Sequence, residues 1–262
     1  MDSPVRLDRS GYVLEWDEQF DGETLDRSRW IPHYLPQWSS RAASAARFDL
    51  TPDGLRLRID RDQPAWAPDL DGHLRVSNLQ TGVHSGPVGS GIGQHPFRPG
   101  LIVREQQPTQ WLYTPQHGMI EARLRASADP TTMVALWLIG IEDVPQHSAE
   151  ICLVEIFGRD VLSDSVRIGM GIHPFGDPRL HDDFAVVTLP IDAAEFNDYA
   201  LEWMPGRTRI YVDDVLVSES DQAPDYPLQL MLNIYEFAEN GARIGEYPKE
   251  FVVDSVRGYR RI

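Results

Sequence analysis

An all-β fold is what this 262-residue chain predicts, and three observations carry the prediction. Short runs rich in β-branched and aromatic residues recur from end to end, clusters of Gly, Pro, Asn and Asp separate them, and no segment sustains the period of an amphipathic helix. Ten runs stand out, at 11–17, 54–59, 118–125, 133–140, 150–157, 166–173, 199–203, 208–212, 228–233 and 251–259. That number implies two stacked sheets, and one β domain over residues 1–262 is a normal size for such a sandwich.

Each element has a local reason. Leu55-Arg56-Leu57-Arg58-Ile59 and Ile120-Glu121-Ala122-Arg123-Leu124-Arg125 alternate apolar with polar, as strands with one wet face do. Met133 to Ile139 is apolar on both faces and belongs in mid-sheet, beside the strand that follows it in sequence. Trp203-Met204-Pro205-Gly206-Arg207 and Val212-Asp213-Asp214-Val215 read as hairpin turns. Between Asp60 and Gln110 strand density falls, and repeated Gly and Pro predict long ordered loops of the kind that carry recognition. Gly91-Ile92-Gly93 within them is no phosphate loop, because no strand precedes it, no helix follows and no Lys is near.

Composition removes several function classes. The net charge is −16 and the only Lys is Lys249, which argues against nucleic acid, whose binding rests on clustered cations. The one cysteine, Cys152, allows no internal disulfide, and no Cys pair or His-x-x-x-His spacing suggests zinc. No apolar run reaches the length of a membrane span, and Met1-Asp2-Ser3-Pro4-Val5-Arg6-Leu7-Asp8 lacks the apolar segment of a signal peptide. The sequence as given therefore reads as cytoplasmic and as having no membrane partner. Oligomeric state is not legible in it.

Chemistry concentrates in Glu150-Ile151-Cys152-Leu153-Val154-Glu155-Ile156, which sets two carboxylates in an otherwise apolar strand. An unpaired carboxylate in an apolar setting costs several kcal/mol or takes up a proton, so two on one strand call for a wet cleft. Strict alternation puts Glu150 and Cys152 on one face and Glu155 on the other. A β-bulge at Leu153-Val154 would return Glu155 to the face of Glu150 and bring the two head groups to roughly 5–6 Å, the separation that retaining glycoside hydrolysis requires. The competing reading is an edge strand with two solvated glutamates, which Gly158-Arg159-Asp160 would suit.

From about residue 13 to 259 the chain resembles the family 16 glycoside hydrolases, especially the laminarinase-like endo-β-1,3-glucanases. The resemblance rests on an ordered series: Leu14-Glu15-Trp16-Asp17-Glu18 to Gly22 with Leu25-Asp26 and Trp30; Tyr113 with Gly118-Met119-Ile120-Glu121-Ala122-Arg123; Ala135-Leu136-Trp137-Leu138; and Glu150 to Glu155 against a Glu-x-Asp-x-x-Glu signature. His173, Tyr199 to Trp203, Ile210 to Asp213, Leu232-Asn233 and Val253 to Tyr259 complete it. It implies a jelly-roll β-sandwich of the concanavalin A-like kind, with a concave cleft for a β-linked polysaccharide, a β-1,3-glucan by default. By the same resemblance Glu150 is the nucleophile and Glu155 the general acid and base, while Cys152 stands where the signature has Asp.

That replacement removes a charge and a hydrogen-bonding partner from between the glutamates, so slowed catalysis is expected. The alternative from another class is a carbohydrate-binding protein of this fold with little or no hydrolysis. Sugar rings stack on flat apolar faces, which makes Trp38, Trp66, Trp111 and Trp137 candidates for substrate contact, with His173 resembling a family histidine near the cleft. A tryptophan that the laminarinase-like pattern places shortly before the first glutamate is missing from Val144 to Ala149. The resemblance implies no cofactor for catalysis but a structural calcium ion, at Glu18, the carbonyl of Gly54 and Asp254; it also implies secretion, against the leaderless start.

Overall fold

The computed structural model describes residues 4–237 and 239–262, so the first three residues of the N-terminal segment read above lie outside it. Its strands are, in chain order, β1 (Tyr12–Glu18), β2 (Arg47–Thr51), β3 (Gly54–Ile59), β4 (Arg75–Gln80), β5 (Gly82–Val83), β6 (Gln110–Trp111), β7 (Gly118–Arg125) and β8 (Thr132–Gly140). The second half adds β9 (Glu150–Phe157), β10 (Val166–His173), β11 (Asp183–Leu189), β12 (Asn197–Met204), β13 (Arg207–Val212), β14 (Val215–Ser220), β15 (Leu228–Glu236) and β16 (Lys249–Arg261). All ten expected runs form strands.

Two antiparallel sheets face each other, as in a jelly-roll sandwich. One runs β14-β13-β12-β7-β16-β3-β2, with β1 on the last part of β16; the other runs β11-β10-β9-β8-β15-β4. A short ribbon of β5 and β6 stands apart from both. Between the sheets lies the main core, where Leu55, Leu57 and Ile59 of β3 and Ile120, Ala122 and Leu124 of β7 meet Val134, Leu136 and Leu138 of β8. Burial of this alternating set drives the stacking, because each strand turns one face from water.

The apolar run on β8 has a second use. Its other face, Met133, Ala135, Trp137 and Ile139, joins Tyr34, Trp38, Trp66 and Tyr235 in a second cluster on the outer side of the six-stranded sheet. Long loops cover part of that side and leave the rest open as a cleft. The two expected hairpins are present: Gly206 has φ 70, and Asp213 and Asp214 have φ 48 and 63, the left-handed pair that a two-residue turn needs.

The loop reading of residues 60–110 requires one correction. Residues Arg75–Gln80 form β4, fully buried and paired with β15. Its polar side chains tie down neighbouring backbone, Ser77 Oγ donating to the Arg58 carbonyl at 2.7 Å and Asn78 Nδ2 to that of His33 at 2.6 Å. Among the described residues no helix is long and apolar enough to cross a membrane.

Candidate active site

The fourth and fifth residues of β9 break its alternation. Against β8, Cys152 pairs with Trp137 but Val154 pairs with Leu136; against β10, Cys152 pairs with Gly171 and Glu155 with Gly169. One extra residue is thus accommodated at Leu153-Val154, and both side chains enter the main core beside Ile151 and Ile156. Glu150, Cys152 and Glu155 consequently line one cleft.

The neighbours across the sheet decide the shape of that cleft. Opposite Cys152 and Glu155, β10 presents Gly171 and Gly169, so at those two positions that strand puts no side chain into the trough. Gly171 has φ +133 and its Cβ position would clash with the Asp183 carbonyl, so only glycine serves there. On the other flank β8 supplies Trp137 beside Cys152, and its Nε1 donates to Asn233 Oδ1 at 2.8 Å. His173 lies opposite Glu150, with Nδ1 2.8 Å from Asp182 Oδ1 and its ring stacked on Phe184 at 4.6 Å.

Burial governs the electrostatics. Glu150, 9% exposed, is pushed up to about 8, first by loss of water and then by the charge of Glu155. Burial also raises Glu155, while the neighbouring His173 pulls it back. The Cys152 thiol is held well above its ordinary value by burial and by both carboxylates, so it stays neutral. It points across the strand pair, Sγ 3.8 Å from the Gly169 carbonyl, and among the described residues gives neither glutamate a hydrogen bond.

Of the tryptophans expected to touch sugar, only Trp137 lines this cleft. Trp38 and Trp66 are buried in the second apolar cluster, where their indole N–H groups donate to the Gln94 carbonyl at 2.8 Å and to Asp71 Oδ2 at 3.1 Å. These two are corrected to core residues under the loops, with no face free for a ligand. Trp111 is 44% exposed on the β5–β6 ribbon and does not line the cleft. In their place the walls carry Tyr34, His95, Phe97, Phe175, Tyr235 and Phe237. Tyr235 was findable, because it stands two places beyond Asn233 on the same face of β15; the others come from loops and turns.

The three expected calcium donors lie on neighbouring strands, β1, β3 and β16. Glu18 pairs with Val256 two residues beyond Asp254, and the Cβ position of Gly54 lies 2.8 Å from the Asp254 Cα. Their all-oxygen chemistry fits a hard cation. Glu18 is partly engaged, accepting the Phe20 N–H at 2.9 Å and the Trp30 Nε1–H at 3.1 Å. Among the described residues no three His, Cys, Asp or Glu side chains cluster as a metal site, so main-chain carbonyls would have to complete the shell. In a further concavity, on the outer face of the eight-stranded sheet, Arg9 pairs with Glu121 and Asp214, and Arg123 with Asp198.

A β-sandwich with two raised carboxylates facing an open, aromatic-walled trough defines a class of glycan-cleaving hydrolases. Residues 112–250, more than half of the chain, match the family described as Glycosyl hydrolases family 16, and the protein belongs to that family of glycoside hydrolases. It is 26% identical over 272 residues to a beta-glucanase of Rhodothermus marinus, covering 90% of this chain and 88% of that one. A GlcNAcα1-4Gal-releasing endo-β-galactosidase from Clostridium perfringens superposes with a TM-score of 0.85 at 26% identity; all of this chain is covered, and it spans 66% of that longer one. The laminarinase of Flavobacterium sp. UMI-01 superposes at 0.65 with 18% identity over 95% of this chain and 100% of its own, a likeness of fold.

Proposed function

We propose that this glycoside hydrolase cleaves internal β-linkages of a polysaccharide with retention of configuration, with a β-1,3-glucan as first substrate. The observation that carries the reading is the bulge at Leu153-Val154, which turns Glu150 and Glu155 to the same cleft. In the first step a Glu150 oxygen bonds to the anomeric carbon, the glycosidic C–O bond breaks, and the Glu155 proton passes to the leaving oxygen. In the second, Glu155 takes a proton from water, the hydroxide oxygen attacks the same carbon and Glu150 departs. The first step needs a dyad that holds a single proton, placed on Glu155; the second begins with Glu155 ionised and Glu150 bound to the sugar.

Burial raises both carboxyls, and a neutral Cys152 that bonds to neither glutamate does nothing to place the proton on Glu155. A carboxyl at position 152 can share that proton and add the repulsion that keeps Glu155 protonated. Slow turnover is the consequence. The β-glucanase relative supports a glucan; a β-linked galactan is a second reading, favoured by the 0.85 superposition on the endo-β-galactosidase. Release of reducing ends from laminarin, lichenan and agarose, with Glu150→Gln as control, tests both: cleavage of none, or cleavage that survives the substitution, defeats the proposal.

A further inference from the structure

Glu142, His95 and Phe175 are non-glycine residues held in left-handed backbone, with φ 61, 48 and 44, and the last two line the cleft with Glu150. The Glu142 carboxyl accepts the His95 N–H at 2.6 Å. The His95 ring lies edge-on to Trp137, 5.6 Å between centroids, and to Phe175, at 5.2 Å. Such conformations cost energy and persist only where the surroundings impose them, which happens most at ligand clamps.

The surroundings here are one loop, residues 141–149, which joins β8 to β9 and leads directly into Glu150. Glu142 grips His95 from the start of that loop, and Ser148 near its end accepts the Gly176 N–H at 2.8 Å, fixing the turn that bears Phe175. The loop is itself pinned: Tyr226 Oη accepts the Ala149 N–H at 2.9 Å and its ring stacks on His147 at 4.2 Å. Two aromatic rings from distant parts of the chain are thus aimed at one place by the segment that also sets the first glutamate. Phe175 keeps 54% of its surface exposed although the His95 and His173 rings lie against it.

We propose that His95, Phe175 and Trp137 form a binding subsite for one pyranose unit beside Glu150, with Glu142 and Ser148 as its positioning residues. This rests on the glycoside-hydrolase reading and adds where specificity is set. Phe175 offers the ring face, and the imidazole offers one acceptor and one donor to sugar hydroxyls. Burial holds His95 down to about 4, so it stays neutral through the working range and keeps both roles.

Calorimetric binding of laminarihexaose, and in a second arm of a β-linked galacto-oligosaccharide of equal length, to Glu150→Gln protein tests the assignment. His95→Ala and Phe175→Ala placed in that background are expected to weaken binding about tenfold, with KM in the otherwise wild-type enzyme rising more than kcat falls. Glu142→Ala follows His95→Ala and is not additive with it, while Glu142→Gln, which keeps the accepting oxygen, restores binding. Phe175→Leu, at an exposed position, is expected to show the same loss and serves if His95→Ala does not fold. Unchanged affinity in the His95 and Phe175 variants overturns the subsite, and equal losses in Glu142→Ala and Glu142→Gln overturn the positioning role. Failure of the Glu150→Gln parent to bind either sugar, together with no cleavage by the wild type, overturns the hydrolase reading instead.

Discussion

Replacing Glu150 by Gln should make the protein more stable in alkaline solution, because the cleft holds a carboxyl that the fold would prefer uncharged. Burial and Glu155 raise Glu150 from 4.5 to about 8, which withdraws about 5 kcal/mol from its ionised form. The folded chain grips this proton more tightly than the unfolded one. Below pH 4.5 both states carry it and the substitution changes little; as pH rises toward 8 the unfolded state ionises freely, and stability relative to the Gln protein is lost progressively. Part of the penalty relaxes as water enters the open cleft, so a gain of a few kcal/mol for Glu150→Gln near pH 9 is expected. For a chain of this size that is about 10 °C in Tm. Glu142 titrates over a similar range but is common to both proteins and cancels. Thermal unfolding of the pair from about pH 4 to 9 makes the measurement. A Tm difference that stays flat with pH, or that favours the parent at high pH, refutes the reasoning.

Cys152→Asp should raise kcat on whichever polysaccharide is cleaved, and a purified variant no faster than the parent contradicts the account of the dyad's proton. Gly169→Ala would bring a Cβ to 2.5 Å from Phe184 Cζ and 3.4 Å from Glu155 Cβ, displacing that ring over the trough; kcat should fall about tenfold with the Tm nearly unchanged, and an unaffected rate would show that the glycine leaves no needed space. If Glu18, the Gly54 carbonyl and Asp254 hold calcium, chelator should lower the Tm and added calcium restore it, with Asp254→Asn insensitive to both; equal melting with and without chelator removes the ion from the account.

Apart from β1, the strands that the sequence announced have a dry face and lie inside a sheet. The longer strands it did not announce, β2, β4, β11 and β14, are all sheet edges, where one side of the backbone has no strand partner and polar residues are tolerated. β4 is the instructive case: Ser77, Asn78 and Gln80 read as loop, yet they are buried with their side chains bonded to the main-chain carbonyls of Arg58 in β3, of His33 in a loop and of Gly82 in β5. The dyad was legible because two glutamates five residues apart in an apolar strand have few physical solutions. The aromatic walls were not. Trp38 and Trp66 look available in a loop-rich stretch, but the loops fold over them, whereas Phe175 and His95 reach the cleft only through hydrogen bonds to residues far away in sequence.

The claim on which the rest depends is that a kinked β9 presents Glu150 as nucleophile and Glu155 as its acid and base from one side of the sheet. Incubation with a 2-fluoro glycosyl fluoride of the sugar that the enzyme cleaves, followed by proteolysis and mass spectrometry of the peptide spanning β9, tests it directly. The account predicts one covalent sugar, on Glu150, released when an acceptor is added. Labelling of Glu155 or of a carboxylate outside β9, or turnover whose first product has the inverted anomeric configuration, would contradict it.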